Sequence, residues 1–269
     1  MTATNAPESH SSEAHVVLRD VWLAFGDRPV MRGLNCSFPR GRVSVLMGGS
    51  GSGKSTLLRI IAGLASPDSG SVLVAGHEVV GKSESEVASV RVRIGMLFQN
   101  GALLDSMSVF DNIALPLRER TGKTEAQIRD EVRRRLAAVG LDDVDDLLPG
   151  ELSGGMLKRA ALARAIILDP EILLCDEPFS GLDPPNVLRI EALLARLSDE
   201  LGLTVIVTSH HVVTSRRMAN QLMVLFPDEA VSGTPQELAM SRDPRINEFL
   251  GVQPEAGTAG PTQSHLELD

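Results

Sequence analysis

The chain has 269 residues, a formal net charge of −9 and two cysteines, Cys36 and Cys175. This length suffices for one large domain that buries about three quarters of the surface of its unfolded chain, and the acidic balance argues against nucleic acid as the main partner. So few cysteines favour a reduced, cytosolic protein, and the absence of any apolar stretch near the ~18 residues of a membrane span, or of a signal peptide, predicts a soluble chain.

The amino end is polar and then changes to strand-like sequence. Residues 1–14, rich in Ser, Thr and Glu, have the composition of a disordered lead-in. Residues 15–25 and 34–38 favour two strands, with a turn at residues 26–29 between them. We therefore expect an antiparallel β layer at the start of the fold.

A glycine-rich segment lies between residues 42–47, whose pattern predicts a strand, and residues 55–64, whose pattern predicts a helix. The apolar face of that helix would consist of Leu57, Leu58, Ile61 and Leu64. The segment fits the pattern G-x-x-x-x-G-K-[ST] and consists of Gly48, Gly49, Ser50, Gly51, Ser52, Gly53, Lys54, Ser55 and Thr56. The alternative, a glycine-rich turn with a chance lysine, is disfavoured by the strand and the helix on either side.

This pattern predicts a site for a nucleoside triphosphate and Mg²⁺. Glycines let the backbone turn tightly and bring its N–H groups against phosphate oxygens, and the helix N-terminus adds roughly half a positive charge there. Lys54 would reach the β- and γ-phosphates, and Ser55 would give its hydroxyl to Mg²⁺. Phe25 is placed where an aromatic ring could lie against the adenine, although a half-buried strand aromatic is an equal alternative, and it is the better reading of Trp22.

Gln99 closes an apolar run that predicts a short strand, after an earlier one at residues 70–76. A glutamine at that position could reach Mg²⁺ or an attacking water. It could equally be an ordinary polar strand end, and the sequence leaves both open.

Residues 100–168 have a mainly helical pattern. Apolar residues recur at helical spacing at Ile128, Val132, Leu136 and Val139. The arginines at 133–135 fall mostly on the opposite face, where a solvated surface is favoured over a binding patch.

Leu152, Ser153, Gly154, Gly155 and Met156 precede a helix that we expect over residues 157–168, ended by Pro170. Ser153 is a good helix N-cap, which is one reading of its position. The other is that its hydroxyl, the exposed N–H groups and the helix dipole form a second anion site.

Two apolar runs, residues 172–175 and 204–208, predict buried parallel strands, and each ends in polar residues. Ligands of open parallel sheets bind outside the carboxyl ends of the strands, so both ends should converge on the glycine-rich loop. Asp176 would hold Mg²⁺ through its water shell, and Glu177 is the natural general base for a water that attacks the γ-phosphorus. His210 would contact that water or the γ-phosphate, with His211 as a bystander.

These segments occur in an order that resembles the ATP-binding cassette (ABC) ATPases over residues 15–250. The resemblance implies a Walker A loop, a signature at 152–156, a Walker B strand with Glu177 as catalytic glutamate, a D-loop at 180–183 and a switch histidine at His210. Gln99 matches the Q-loop. Met156 stands where the signature usually has Gln, and Gly49 where the loop usually has Pro.

The resemblance also implies a fold: an α/β nucleotide-binding domain with a P-loop parallel-sheet core, an N-terminal antiparallel β layer and a helical signature subdomain at about 100–168. Residues 251–269, rich in Gly, Pro and Thr, would form a flexible tail. An exposed helix N-terminus contributes only about 0.3–1 kcal/mol per charge contact, so the signature alone cannot hold ATP. We expect two chains head to tail, in which Ser153 to Met156 and Asp183 of one chain close on the ATP held by Lys54 of the other.

A narrower likeness lies in residues 98–119 together with the Met-ending signature, which resemble the ATPases of Mla-type phospholipid transporters. It implies a second ATPase copy, an MlaE-like membrane permease, an MlaD-like MCE-domain protein and an MlaB-like STAS-domain protein, at the cytoplasmic face of the inner membrane and with no nucleic acid. The segment after Gln99 would take a permease coupling helix, and the tail could reach the second copy. The alternatives are an ATPase for small-solute import or lipoprotein release, and a non-transport cassette, which usually has a coiled-coil insertion or tandem cassettes.

Overall fold

The computed structural model describes residues 14–226 and 228–251. The lead-in and the tail expected from the sequence lie outside the described residues, apart from Ala14 and Gly251. The strands are β1 (Ala14–Phe25), β2 (Arg28–Pro39), β3 (Val43–Met47), β4 (Ser69–Val74), β5 (His77–Glu78), β6 (Ile94–Leu97), β7 (Ile172–Asp176), β8 (Thr204–Thr208), β9 (Gln221–Leu225) and β10 (Ala230–Gly233). The helices are α1 (Lys54–Ile61), α2 (Glu84–Arg91), α3 (Val109–Arg120), α4 (Glu125–Ala138), α5 (Gly154–Ala165), α6 (Pro184–Leu201), α7 (Val212–Met218), α8 (Pro235–Ala239) and α9 (Pro244–Leu250), with a 3₁₀ turn at Pro149–Glu151.

The strands form two sheets of different kinds. One is antiparallel, with the order β2-β1-β4-β5, and the other has the order β10-β9-β3-β8-β7-β6. In the second sheet, the five strands from β9 to β6 run parallel and only β10 is antiparallel. The parallel core and the antiparallel β layer expected from the sequence are therefore confirmed.

Helix α1 lies between the two sheets and joins their cores. Leu57, Leu58 and Ile61 are fully buried among apolar residues from both sheets. Leu64 was expected on the same face, but it is 53% exposed. The helix ends at Ile61 because Gly63 adopts the left-handed conformation, which turns the chain before Leu64.

The helices α3, α4 and α5 pack beside the core sheet and form the helical part of the fold. Ile128, Val132 and Leu136 of α4 are buried as the spacing predicted, and Glu131 is buried as well. Val139 is also buried, just after the end of α4. The arginines at 133–135 form ion pairs with carboxylates of this chain. Residues 100–108 are not helical, and α5 covers Gly154–Ala165 rather than residues 157–168. The shift arises because Ser153 caps the helix, so its first turn includes both glycines.

Strand β6 passes α5 so closely that the contact has room for a glycine only. A Cβ atom at Gly95 would press on the carbonyl group of Ala165, which is backbone and cannot turn away. We expect Gly95→Ala to lower the free energy of unfolding by about 1–3 kcal/mol, the usual cost of overpacking a core. Urea denaturation of the full chain measures this change.

Gly122 supplies the matched control. It lies between α3 and α4, and a Cβ atom there would meet nothing within 4 Å. Gly122→Ala should therefore leave the unfolding midpoint within error of the wild type, whereas equal midpoints for both variants would show that β6 can move away from α5.

Among residues 14–226 and 228–251, no helix combines the length and the apolar character that a membrane span requires.

Candidate nucleotide-binding and catalytic site

The candidate site lies at the carboxyl ends of four neighbouring strands of the core sheet. β3, β8, β7 and β6 lie side by side, and their carboxyl ends lead to the glycine-rich loop, to His210, to Glu177 and to Gln99 in turn. Residues from all four ends line one cavity of about 480 Å³, which also contains Lys54. The structure thus brings together residues that lie up to 185 positions apart in the sequence, from Phe25 to His210.

The backbone of the glycine-rich loop packs closely against neighbouring residues of the fold. A Cβ atom at Gly48 would lie 2.8 Å from the carbonyl oxygen of Leu225, and one at Gly53 would lie 2.7 Å from Val30 Cγ1. Both glycines also have positive φ angles, 153° and 95°. Ser52 Oγ is buried and has no hydrogen-bond partner in the part of the chain that the structure describes. An unsatisfied donor in the loop fits a site for phosphate oxygens.

Lys54 lies in this loop with its side chain folded over it. Its Nζ donates hydrogen bonds to the carbonyl oxygens of Gly48 at 2.9 Å and Gly49 at 3.1 Å. Burial lowers the pKa of Lys54, and the charges of Glu177 and Asp176 act in the opposite direction. The other loop residues that line the cavity are Ser50, Gly51, Gly53, Ser55 and Thr56, whereas Gly48, Gly49 and Ser52 do not line it.

Ser55 and Asp176 form an oxygen-rich pair at the base of the cavity. Ser55 Oγ donates to Asp176 Oδ1 at 2.8 Å, and Thr208 Oγ1 donates to the same oxygen at 2.7 Å. Hydroxyl and carboxylate oxygens are ligands that Mg²⁺ accepts, and Mg²⁺ usually takes one or two carboxylates together with waters and substrate phosphates. The described residues contain no cluster of three or more His, Cys, Asp or Glu that could hold a metal. The Ser55 hydroxyl and the Asp176 carboxylate fit an Mg²⁺ ion that takes its other ligands from water and a triphosphate, and Gln99 lines the same cavity.

Glu177 is held in an unusual backbone conformation directly after β7. Its φ is +46°, a region that costs a residue with a side chain about 1–3 kcal/mol. Its backbone N–H donates to Thr208 Oγ1 at 2.9 Å. Oε1 lies 3.0 Å from His210 Nε2 without hydrogen-bond geometry, so this buried oxygen has no donor among the described residues. A buried, unsatisfied carboxylate oxygen at the cavity wall can accept a proton from a water.

Phe25 and Trp22 are separated by the structure. Phe25 is 62% exposed and lines the cavity beside the glycine-rich loop. Trp22 does not line it, and its indole N–H donates to Asp20 Oδ1 at 2.8 Å. Of the two aromatics, only Phe25 borders the cavity. Arg28 also lines the cavity, and the sequence analysis did not predict it as a site residue. Its only sequence signal was its positive charge close to Phe25.

The second anion site predicted from the sequence lies elsewhere on the chain. Ser153 and Gly154 are exposed at the N-terminus of α5, where Ser153 Oγ accepts a hydrogen bond from the N–H of Met156. Asp183 caps α6 by accepting from the N–H of Asn186 at 2.9 Å. None of these residues, nor Gly155, which is buried against Asn186, is among those that line the cavity of the glycine-rich loop. Within one chain, the two halves of the predicted ATP site are apart.

The fold and the cavity define a P-loop nucleotide-hydrolysing domain of the α/β class. A family model described as ABC transporter matches residues 31–180, which is more than half of the chain. The chain belongs to that family, and its domain is an ATP-hydrolysing cassette.

Two curated relatives have similar identity to the chain and different printed cargoes. The chain is 42% identical over 236 residues to the intermembrane phospholipid transport system ATP-binding protein MlaF of Escherichia coli K12, covering 87% of this chain and 88% of that protein. It is 41% identical over 228 residues, or 84% of this chain, to the probable ribonucleotide transport ATP-binding protein mkl of Mycobacterium tuberculosis H37Rv. The match spans only 64% of the length of mkl.

A solved structure supports the fold independently. It is a dimeric ATP-binding cassette in a post-hydrolysis state with bound ADP and Pi. Its TM-score to this chain is 0.76 at 29% identity, covering 82% of this chain and 98% of that one.

Proposed function

We propose that the chain is the ATPase subunit of a transporter that moves phospholipid between the inner and outer membranes. The observation that carries this proposal is the likeness to MlaF, which spans 88% of that protein at 42% identity. The Met-ending signature and residues 98–119 support it, because the sequence there resembles Mla-type ATPases.

In the proposed reaction, each part of the cavity has one task. Lys54 binds the β- and γ-phosphates, with the loop N–H groups around them, and Phe25 lies against the adenine. Ser55, Asp176 and Gln99 hold Mg²⁺, which would neutralise charge on the phosphates. Glu177 takes the proton of the attacking water, and His210 orients that water or the γ-phosphate.

The separation of Ser153 from the cavity is the reason to propose a dimer. In a head-to-tail pair, the exposed N-terminus of α5 in one protomer closes on the γ-phosphate bound by its partner, and Asp183 approaches the same interface. ATP then holds the two chains together, and hydrolysis removes the charge that links them. Opening of the dimer would reset the permease.

The segment that follows Gln99 is a suitable surface for a permease helix because one side chain fixes it. Asn112 Nδ2 donates to the carbonyl oxygens of Leu104, Met107 and Ser108, and Asn112 Oδ1 accepts from the N–H of Leu104. A loop held by four such bonds can transmit a displacement instead of absorbing it. We propose that an MlaE-like permease docks here, with MlaD-like and MlaB-like subunits in the same complex at the cytoplasmic face of the inner membrane.

Ribonucleotide transport is the second candidate, because the mycobacterial relative with that printed function has nearly the same identity to the chain. It is ranked below phospholipid transport because the match covers a smaller part of that relative.

The test is to purify the tagged full-length chain from membranes and to identify the proteins and lipids that accompany it. We expect an MCE-domain protein, a permease and bound phospholipid, and we expect ATP-driven movement of a fluorescent phospholipid after reconstitution into vesicles. A tagged chain with Lys54→Ala, which would not bind ATP, is the control for ATP-independent lipid exchange. ATP-driven uptake of radiolabelled ribonucleotide without lipid movement would instead support the second candidate and contradict the first.

A further inference from the structure

A buried lysine outside the cavity touches two of the loops that form it. Lys158 lies in the second turn of α5 and is 4% exposed. Its Nζ donates to the carbonyl oxygen of Gln99 and reaches the carbonyl oxygen of Glu177 at 3.5 Å. Lys158 lies outside the sequence motifs and has no part in the proposed chemistry.

Such a position is costly, so the contacts must compensate for it. Burying an ammonium group is unfavourable unless it is hydrogen-bonded and paired with negative charge. Burial lowers the pKa of Lys158, while the charges of Glu177 and Asp176 act in the opposite direction. Its bonds are to backbone carbonyls, so what it fixes is the course of two loops.

The two loops carry the groups that the reaction depends on. The first loop follows β6 and contains Gln99, and the second is the left-handed turn at Glu177, whose strained φ of +46° needs support from its surroundings. A second side chain of α5 reaches the same region, since Arg164 donates to the carbonyl oxygen of Gly101 at 3.1 Å. Helix α5 is therefore attached at two points to the segment that begins with Gln99.

The same helix begins at the signature. Ser153 caps α5 five positions before Lys158, which corresponds to about 7.5 Å along a helix that rises about 1.5 Å per residue. A rigid helix transmits a displacement of its first turn to its second turn. Any movement of the signature toward a nucleotide would therefore move the Lys158 ammonium and the loops bonded to it.

We propose that Lys158 is a positioning residue that couples the two ATP sites of the dimer. The N-terminus of the helix that contains Lys158, α5, contacts the ATP bound by the partner subunit. The Lys158 ammonium sets the position of Glu177, which acts on the ATP bound by the same chain as Lys158. This inference rests on the head-to-tail dimer of the proposed function, and it does not depend on the cargo. Through this one side chain, ATP binding at one site would enable ATP hydrolysis at the other site.

The test uses the full-length chain in its purified membrane complex, with Lys158→Met and Lys158→Arg. Methionine has a similar length but cannot donate, whereas arginine keeps the charge and the donors. We expect Lys158→Met to reduce kcat by about 100-fold, the effect of a misplacement of about 1 Å in catalytic geometry, with ATP affinity within about twofold of wild type. The Hill coefficient for ATP, which can reach at most about 2 for two sites, should fall toward 1, and Lys158→Arg should restore much of both values.

Arg196→Met controls for the loss of a cation bonded to backbone, because Arg196 on α6 donates to the carbonyl oxygen of Ala138 away from the cavity. Its kcat and Hill coefficient should equal those of wild type, and urea unfolding of all variants separates effects on stability from effects on coupling. The proposal is overturned if Lys158→Met keeps a wild-type Hill coefficient and kcat, or if Lys158→Arg fails as completely as Lys158→Met. A different cargo would leave these outcomes unchanged. A failure of this proposal can therefore be distinguished from a failure of the proposed phospholipid transport.

Discussion

Replacing Glu177 with glutamine is expected to slow ATP hydrolysis by about 100- to 10,000-fold, the contribution of a positioned general base, with ATP affinity almost unchanged. Glutamine has the same shape, and it cannot accept a proton at neutral pH. Glu177 is the buried carboxylate at the cavity wall whose Oε1 has no donor among the described residues. Phosphate release measured in the full-length chain, together with the binding of a fluorescent ATP analogue, gives both quantities.

Glu191→Gln is the matched control for Glu177→Gln. Glu191 is also a buried glutamate, it is paired with Arg217 of α7, and neither residue lines the cavity of the glycine-rich loop. Its replacement should lower stability and leave the rate of hydrolysis per folded chain unchanged. If Glu177→Gln hydrolysed ATP at more than a tenth of the wild-type rate, another group would have to be the base.

The substitution Ser153→Asp is expected to abolish ATP-dependent dimerisation and hydrolysis while each chain still binds ATP. Aspartate is as good an N-cap as serine, so α5 should keep its first turn. Its charge would face the γ-phosphate of the partner's ATP, and two like charges about 4 Å apart near a protein surface repel by about 4 kcal/mol, or roughly a thousandfold. Light scattering with ATP in the Glu177→Gln background measures the dimer.

Ser83→Asp provides the comparison, because Ser83 caps α2 in the same way and lies outside the cavity lining. That variant should dimerise and hydrolyse ATP like wild type. A Ser153→Asp variant that dimerised normally with ATP would show that the signature does not meet nucleotide across chains.

The elements that the sequence predicted well are those set by local pattern. The strand, loop and helix around Lys54 follow from glycine spacing and apolar periodicity, and β7 and β8 follow from short apolar runs that are typical of buried parallel strands. The convergence of Glu177 and His210 on the glycine-rich loop followed from one rule about the carboxyl ends of parallel strands, whereas the sequence left the role of Gln99 open. The order of the strands in the sheet could not be predicted, because the pairing of distant strands produces no local sequence pattern.

The elements that were missed or misplaced depend on weaker signals or on tertiary contacts. Helix α2 has little apolar periodicity, and its signal was the capping box that Ser83 and Glu86 form. Leu64 was placed in a helix because its spacing fits, whereas Gly63 ends that helix one turn earlier. Lys158 could not be distinguished from a surface lysine, because its partners are backbone carbonyls of segments 59 and 19 positions away.

The sharing of ATP between two chains is tested most directly by the structure of the Glu177→Gln complex with ATP and Mg²⁺. We expect Ser153 Oγ of one protomer to lie about 3 Å, a hydrogen-bond distance, from a γ-phosphate oxygen of the ATP whose phosphates contact Lys54 of its partner. A nucleotide-loaded complex in which Ser153 and Gly154 stay far from every triphosphate would contradict the shared site.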